Sequence, residues 1–371
     1  MAGGLIMIIG IAAAIMIHEA GHLVAAKALG MKASEYFVGF GPKLWSFRRG
    51  ETEYGIKALP LGGYVKIVGM NPYEEVPAHE EERTYRGKSF WKKSVVVLAG
   101  IASHFVVAYL IFFAIFAIVG VHEPVLEIRQ VITELDDGGS TPAARAGLQP
   151  GDRFVAVEGR VVKSWDELTD RIAARPGEEV QVIVDREGEL IGTTVTLAAV
   201  PGEEGGTIGF LGVSPEIEVV RTGPIRAAGR AGAALAEVTV VSFRGLGNFF
   251  HPESLWGYVE ALLGGAEPAP EARPISPVGL VRVGAQAQQF GFEWVLSLVA
   301  AFNVFIGLFN LVPIYPFDGG HFTVALYEKL TGRQADVRKL MPVAAAAIAL
   351  IGFLFITALY LDIVSPLESF G

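Results

Sequence analysis

The chain has 371 residues, of which 51% are hydrophobic and 19% charged, and its mean hydropathy is positive. A soluble enzyme of this length would carry more charge, and the formal net charge of −9 argues against nucleic acid as a partner. Because the chain has no cysteine, a disulfide bond, a thiol nucleophile and a thiolate-bound zinc ion are all excluded.

The first apolar segment, about Leu5–Leu29, is long enough to cross a bilayer, which takes about 20 residues. The seventeen residues before His18 carry no charge, and an H-E-x-x-H motif then begins. On a helix, His18 and His22 share one face and can bind one zinc ion, with Glu19 placed to take a proton from water. The alternative is a pair of histidines bonded only to neighbouring side chains. We favour the metal, because ionisable groups inside a bilayer are costly without a partner.

The region that follows is basic and contains a predicted β-hairpin. Thr52–Val68 alternates β-forming residues around Pro60 and two glycines. Residues 30–93 hold eleven lysines or arginines and residues 318–340 hold four. Because basic loops stay on the cytoplasmic side, we expect both regions to be cytoplasmic and both termini to lie outside. The second predicted span, Ser94–Val121, is uncharged.

A small extracytoplasmic domain is predicted between the second and third spans. Strand patterns occur at Glu127–Val131, Arg153–Val157 and Glu179–Asp185, and a helix at Trp165–Ala174. Residues 142–152 resemble the A-x-x-A-G-L-x-x-G-D run of PDZ domains. We therefore predict a PDZ-like domain at 122–200, with a generic small β-domain as the alternative.

The connecting region 201–293 has a weaker pattern. Ile225–Val241 could form an amphipathic helix lying on the membrane, and Leu262–Pro274 is typical of a loop.

The third span, about Trp294–Phe317, should be broken by Pro313 and Pro316, whereas the fourth, Val343–Leu361, is continuous. Irregular backbone at membrane depth is tolerated only where it is buried in protein or lines a wet cavity. Asp318 directly follows the break and is the best third metal ligand, since a catalytic zinc usually has three. The alternative role of Asp318 is to be the N-cap of the helix predicted at Gly319–Leu330.

Together, the H-E-x-x-H motif and the proline-rich run at 310–320 resemble those of the site-2 protease family of intramembrane zinc metalloproteases. Within it, the chain resembles the bacterial regulator of sigma-E protease group, which has a PDZ domain. The resemblance implies that His18, His22 and Asp318 bind Zn2+ and that Glu19 is the catalytic base. Asn310 falls on a family asparagine, which could donate to the oxyanion, hold the substrate backbone, or join helices.

The chain departs from the family pattern near these motifs. Tyr315 stands where the family often has proline, and Phe317 where it has leucine. His104 takes the place of an asparagine in the second span, where it could keep a bond between helices or add a titratable group. His321 is a lesser rival ligand, and Asn303 is interpreted as a bond between helices.

These patterns predict a multi-pass α-helical membrane protein with about four transmembrane helices, an inserted α+β PDZ-like domain and a β-hairpin. The resemblance implies that this hairpin is membrane-reentrant, and the alternative is an ordinary cytoplasmic hairpin. The predicted regions are an N-terminal membrane core at 1–121, the PDZ-like domain at 122–200, a connecting region at 201–293 and a C-terminal membrane core at 294–371. The resemblance implies a bacterial inner-membrane protein with its active site toward the cytoplasm.

The expected function is hydrolysis of a peptide bond in or near the transmembrane segment of a single-pass protein. By the resemblance, the substrate is an anti-sigma factor in regulated intramembrane proteolysis, or signal-peptide remnants. Membrane lipid is the other expected partner, and the sequence leaves the oligomeric state open. The alternative is a catalytically silent membrane scaffold whose PDZ domain binds exported protein tails. Retention of Glu19, which binds no metal, argues against it.

Overall fold

The computed structural model describes residues 2–71, 74–135, 138–202, 205–262 and 273–364. Within these residues, four helices are long and apolar enough to cross a membrane. They are α1 (Ala2–Ala28), α2 (Phe90–Ala114, continued by a π-helical turn to Val119), α8 (Phe292–Asn310) and α10 (Met341–Val364). The four predicted spans are confirmed as helices. The third ends before Pro313, because a proline within the helix would remove a backbone donor.

The chain divides into two compact units, one of residues 120–221 and one of residues 1–119 with 222–371. The second unit holds the four long helices. Its other helices are α5 (Pro224–Phe249), α6 (Pro252–Leu262), α7 (Pro277–Ala287) and α9 (Asp318–Thr331), with 3-10 turns at Ala78–Arg83, Gln288–Phe290 and Val337–Lys339. Helix α5 contains the segment predicted as amphipathic. Most of the predicted loop Leu262–Pro274 lies outside the described residues.

A β-hairpin follows α1. Strand β1 (Ala33–Arg49) pairs antiparallel with β2 (Thr52–Ile67), and Gly50 and Glu51 connect them. Tyr36 in β1 lies opposite both Tyr54 and Val65. The pattern around Pro60 predicted that the two halves of Thr52–Val68 would pair with each other. In the structure the start of β1 lies between the two halves of β2 and pairs with both, so this pairing was predicted wrongly.

The unit at 120–221 is built on a sheet with strand order β10-β3-β4-β6-β7, and β5 pairs with β4. The predicted strands and the predicted helix are present in it. The strands are β3 (Val121–Val131), β4 (Arg153–Val157), β5 (Arg160–Val161), β6 (Glu179–Arg186), β7 (Glu189–Thr196) and β10 (Val213–Val220), with a separate pair β8 (Ala198–Pro201) and β9 (Thr207–Phe210). The helices are α3 (Pro142–Arg145) and α4 (Trp165–Ala173).

Helix α4 begins as its sequence predicts. The Ser164 hydroxyl accepts a hydrogen bond from the Glu167 N–H at 3.2 Å. The Glu167 carboxylate accepts one from the Lys163 N–H at 2.9 Å, one residue earlier than an ideal capping box. Leu168 and Ile172 then lie one turn apart and pack into the core of the unit, beside Phe154 and Val182.

An ion pair with a buried carboxylate joins the end of β6 to the start of β4 in this unit. Arg186, at the end of β6, donates to both carboxylate oxygens of Asp152, just before β4, at 2.6 and 2.7 Å, and the Gln149 N–H donates at 2.8 Å. Burial alone would raise the pKa of Asp152, but these donors favour the carboxylate and hold its pKa below the usual range. The glycine-aspartate end of the PDZ-like run is therefore a structural clamp.

We expect the local stability of β4 and β6 to fall as the pH drops below about 4. Because the folded-state pKa of Asp152 is depressed, the stabilisation is present above its unfolded pKa of about 3.9 and is lost as the pH falls through the folded value. Asp152→Asn should cost about 1.5–3 kcal/mol and remove that pH dependence. Hydrogen exchange of the full-length protein, corrected for intrinsic rates, measures this. Asp170→Asn, on the exposed face of α4, is the control and should keep the parent profile.

Candidate metal centre

The two histidines of the motif face one point in the C-terminal half of α1, as the i, i+4 spacing predicts. Both are buried, and their Nε2 atoms lie 3.1 Å apart. The Nδ1 atom of His22 lies 2.8 Å from the carbonyl oxygen of Val96 in α2. A carbonyl can only accept, so Nδ1 of His22 carries the proton and Nε2 presents a lone pair.

Helix α2 can approach His22 this closely because it has a glycine there. A Cβ atom on Gly100 would lie 2.3 Å from the His22 ring. Real Cβ contacts do not reach that distance, so any other residue at this position would displace the imidazole. Gly100 and the Val96 carbonyl together fix where His22 points.

Asp318 completes a group of three. Its Oδ2 atom lies 3.2 Å from Nε2 of His18 and 3.2 Å from Nε2 of His22. Asp318 is the first residue of α9, and Phe317 occupies the N-cap position, so the N-cap alternative for Asp318 is not observed. The chain folds back tightly before it, since a Cβ atom on Gly319 would lie 2.2 Å from the Leu311 carbonyl oxygen.

The three atoms fit a zinc ion. Their separations of 3.1, 3.2 and 3.2 Å are close to the edge of a zinc tetrahedron with ligands at 2.0–2.1 Å, roughly 3.3 Å. Two imidazole nitrogens and a carboxylate oxygen are common zinc donors. Asp318 Oδ2 is buried and has no hydrogen-bond donor among the residues that the structure describes. Three lone pairs this close together would repel one another without a cation between them.

Glu19 is held beside this group by the hairpin. Its Oε2 atom accepts a hydrogen bond from the Val65 N–H of β2 at 2.8 Å. The side chain is half-buried, and Glu19 is not one of the three clustered ligand residues. The bond orients the carboxylate and couples the hairpin to α1. Sequence reasoning did not find Val65 or Val96, because both act through backbone groups that any residue type would supply.

The other residues singled out in the sequence lie in α2, in α8 and in and just before α9. Asn310 is the last residue of α8, eight positions before Asp318 in the sequence, and its role stays a prediction. His104 Nδ1 lies 3.2 Å from Asn303 Oδ1, so the bond between helices predicted for both residues is present. His321 Nδ1 lies 3.2 Å from the Tyr315 hydroxyl, and His321 does not belong to the clustered group.

A cavity of about 440 Å³ opens between β2 and the start of α9. It is lined by Tyr64, Val65, Lys66, Ile67, Met70, Asn71, Glu74, Tyr315, His321 and Met341. Val65 contacts Glu19, and His321 lies one turn beyond Asp318, so the cavity adjoins the metal centre.

Nearly the whole chain is similar to known proteins. A family model described as peptidase family M50 matches residues 6–357. The chain is 33% identical to the zinc metalloprotease Rip1 of Mycobacterium tuberculosis, over 99% of this chain and 98% of the relative. It is 32% identical to Rip1 of Mycolicibacterium smegmatis over the same shares. It is 30% identical to a putative zinc metalloprotease of Brucella suis, over 92% of this chain and 88% of the relative.

Solved structures similar to part of the chain include PDZ domains of two SdrC-like proteins. The domain from Listeria monocytogenes is 22% identical, covers 23% of this chain and 84% of its own, and has a TM-score of 0.19. The domain from Listeria innocua is 21% identical, covers 24% of this chain and 93% of its own, and has a TM-score of 0.20.

Proposed function

Because this chain belongs to peptidase family M50, the site-2 protease family of zinc metalloproteases, we propose that it hydrolyses a peptide bond within or near the transmembrane segment of a single-pass membrane protein. It is a zinc metalloendopeptidase and a membrane protein. The observation that carries the proposal is the His–His–Asp triangle, whose two histidines lie on α1, a helix long and apolar enough to cross a membrane. The Glu19 carboxylate is held next to it and is not one of the triangle's donors.

The residues of the site divide into metal-binding and proton-transferring groups. His18, His22 and Asp318 hold the zinc, which when bound supplies Lewis acidity that lowers the pKa of water and polarises a carbonyl. Glu19 takes the proton of the attacking water and later delivers it to the leaving amine. The bond from Val65 keeps one Glu19 oxygen occupied, so the carboxylate has a fixed direction throughout.

The substrate backbone must be unwound before it can be cut, because a peptide bond inside a helix is shielded and already hydrogen-bonded. Strand β2 runs directly past Glu19 and can pair with an extended segment, as exposed strand edges do with peptides. The adjoining cavity would take a substrate side chain. Asn310 would hold the unwound backbone or donate to the oxyanion.

The orientation follows from charge. With residues 30–93 and 318–340 in the cytoplasm, the metal centre lies toward the cytoplasmic side and the unit at 120–221 lies outside. That unit would act as a filter that admits substrates already trimmed by another protease. An anti-sigma factor or a signal-peptide remnant is a substrate of the required kind, a short single-pass protein.

The test is cleavage of a single-pass reporter by the purified full-length protein, with the new termini mapped by mass spectrometry. We expect a cut within or close to the transmembrane segment that is lost on zinc chelation and restored by zinc. A matched reporter whose segment is a stable polyleucine helix should be cut more slowly. Binding of the reporter without any cut would support the silent scaffold instead and overturn the proposal.

A further inference from the structure

His104 is a buried histidine at the contact of three membrane helices. It lies in α2, is 1% exposed, and its ring stacks on the ring of His18 in α1 with centroids 4.9 Å apart and an interplanar angle of 26°. Its ring nitrogen Nδ1 is hydrogen-bonded to Asn303 in α8. Helix α8 passes close at this level, since a Cβ atom on Gly307 would lie 3.2 Å from the Cβ of His104.

The hydrogen-bond chain through Asn303 determines which ring nitrogen of His104 carries the proton. The Asn303 amide nitrogen donates to the Val299 carbonyl oxygen at 2.8 Å, so its amide oxygen must be the atom facing His104. That oxygen only accepts, and Nδ1 of His104 therefore donates to it. A neutral His104 consequently presents a lone pair on Nε2. This atom is buried and has no partner among the described residues.

His18 has the complementary unpaired group. If its Nε2 gives a lone pair to zinc, the proton of the neutral ring is on Nδ1, and that atom is also buried without a partner in the described part of the chain. His22 differs, because its Nδ1 donates to Val96. A metal-binding histidine almost always donates its second N–H to an acceptor, and a buried polar group without a partner is destabilising. Two stacked rings thus offer one unpaired donor and one unpaired acceptor.

We propose that His104 is a positioning residue for His18, accepting the His18 Nδ1–H through one bridging water molecule. The chain Val299–Asn303–His104 holds the acceptor in the required tautomer, and the water joins it to the ligand. This gives His18 the outer partner that Val96 gives His22. The inference rests on the proposed function, because it takes His18 as a zinc ligand.

The experiment measures the zinc affinity of the full-length protein in detergent by competition with a chromogenic chelator. His104→Asn keeps a donor where Nδ1 was, and so keeps the Asn303 bond, but removes the acceptor at Nε2. We expect it to weaken zinc binding about 10–100-fold, the usual cost of losing an outer partner. His104→Gln places an amide oxygen near the position of Nε2 and should recover most of that loss.

The upstream member of the chain supplies a second measurement. Asn303→Leu removes the group that orients His104 and should weaken zinc binding in the same direction. The double variant His104→Asn, Asn303→Leu should lose no more than the His104 variant alone, because both changes break one connected chain. Additive losses would instead mean that the two residues act independently, which contradicts the proposal.

A matched control breaks a different bond between helices. Thr357→Val removes the contact of Thr357 Oγ1 in α10 with the Tyr258 hydroxyl in α6, and should leave zinc affinity unchanged. If the parent binds zinc and His104→Asn binds it equally well, His104 only joins helices and the inference is wrong. If the parent itself binds no zinc, the proposed function fails first.

Discussion

Replacing Glu19 with glutamine is expected to lower the rate of peptide-bond cleavage about 10²–10⁴-fold while zinc affinity stays at the parent level. This loss corresponds to about 3–5 kcal/mol of transition-state stabilisation. The amide cannot take a proton from water at neutral pH. Its oxygen can still accept the Val65 N–H, which Glu19 Oε2 accepts at 2.8 Å, so the hairpin should keep its place.

The comparison needs cleavage and zinc content measured on the same preparations. Glu81→Gln is the control, since Glu81 also carries a bonded carboxylate, paired with Arg86 at 2.8 Å, but lies in a 3-10 turn away from the metal centre. It should cleave at the parent rate. Unchanged cleavage by Glu19→Gln would end the assignment of Glu19 as the base, and loss of zinc in that variant would make it a ligand instead.

Local patterns predicted the parts of the site that depend on local geometry. His18 and His22 are one helical turn apart, so a single helix brings their Nε2 atoms together, as the structure has them at 3.1 Å. The prolines before Asp318 likewise predicted where α8 would stop. Asp318 was predicted as a metal ligand only by combining two motifs some three hundred residues apart in the chain, which no periodicity connects.

What the sequence could not predict are contacts made by backbone groups and by strands distant in the chain. The Val96 carbonyl and the Val65 N–H carry no residue signature, so only the packing of α2 and β2 against α1 selects them. The pairing of Tyr36 with both halves of β2 also depends on how that strand curls. In the other unit, β10 pairs with β3 from beyond the predicted range 122–200, which again is a long-range choice.

The tautomer of His104 illustrates the same limit at the level of one proton. The sequence showed a histidine in place of an asparagine and left its role open. Only the direction of the Asn303 amide, set by its bond to Val299, decides which nitrogen of His104 donates. To infer a role that depends on which nitrogen carries the proton, every member of the hydrogen-bond chain must be known. A sequence motif contains only one of these members.

Replacing Asp318 with asparagine is expected to cost more zinc affinity than any variant of an outer partner, on the order of 100-fold or more. The carboxylate is the one anionic donor of the triangle, and its Oδ2 atom lies 3.2 Å from both imidazole nitrogens. An amide oxygen is neutral and a weaker ligand for zinc. Cleavage should fall with zinc occupancy, and saturating zinc should restore part of it.

Two further variants separate ligation from folding. Asp318→His supplies a different zinc donor at the same position and should recover affinity relative to Asp318→Asn. Asp336→Asn changes an exposed aspartate of the following loop, which accepts the Arg338 N–H at 3.2 Å, and should bind zinc like the parent. Both are measured by chelator competition. Full zinc retention by Asp318→Asn would remove Asp318 from the ligand set, and the triangle would then reduce to the two histidines of α1.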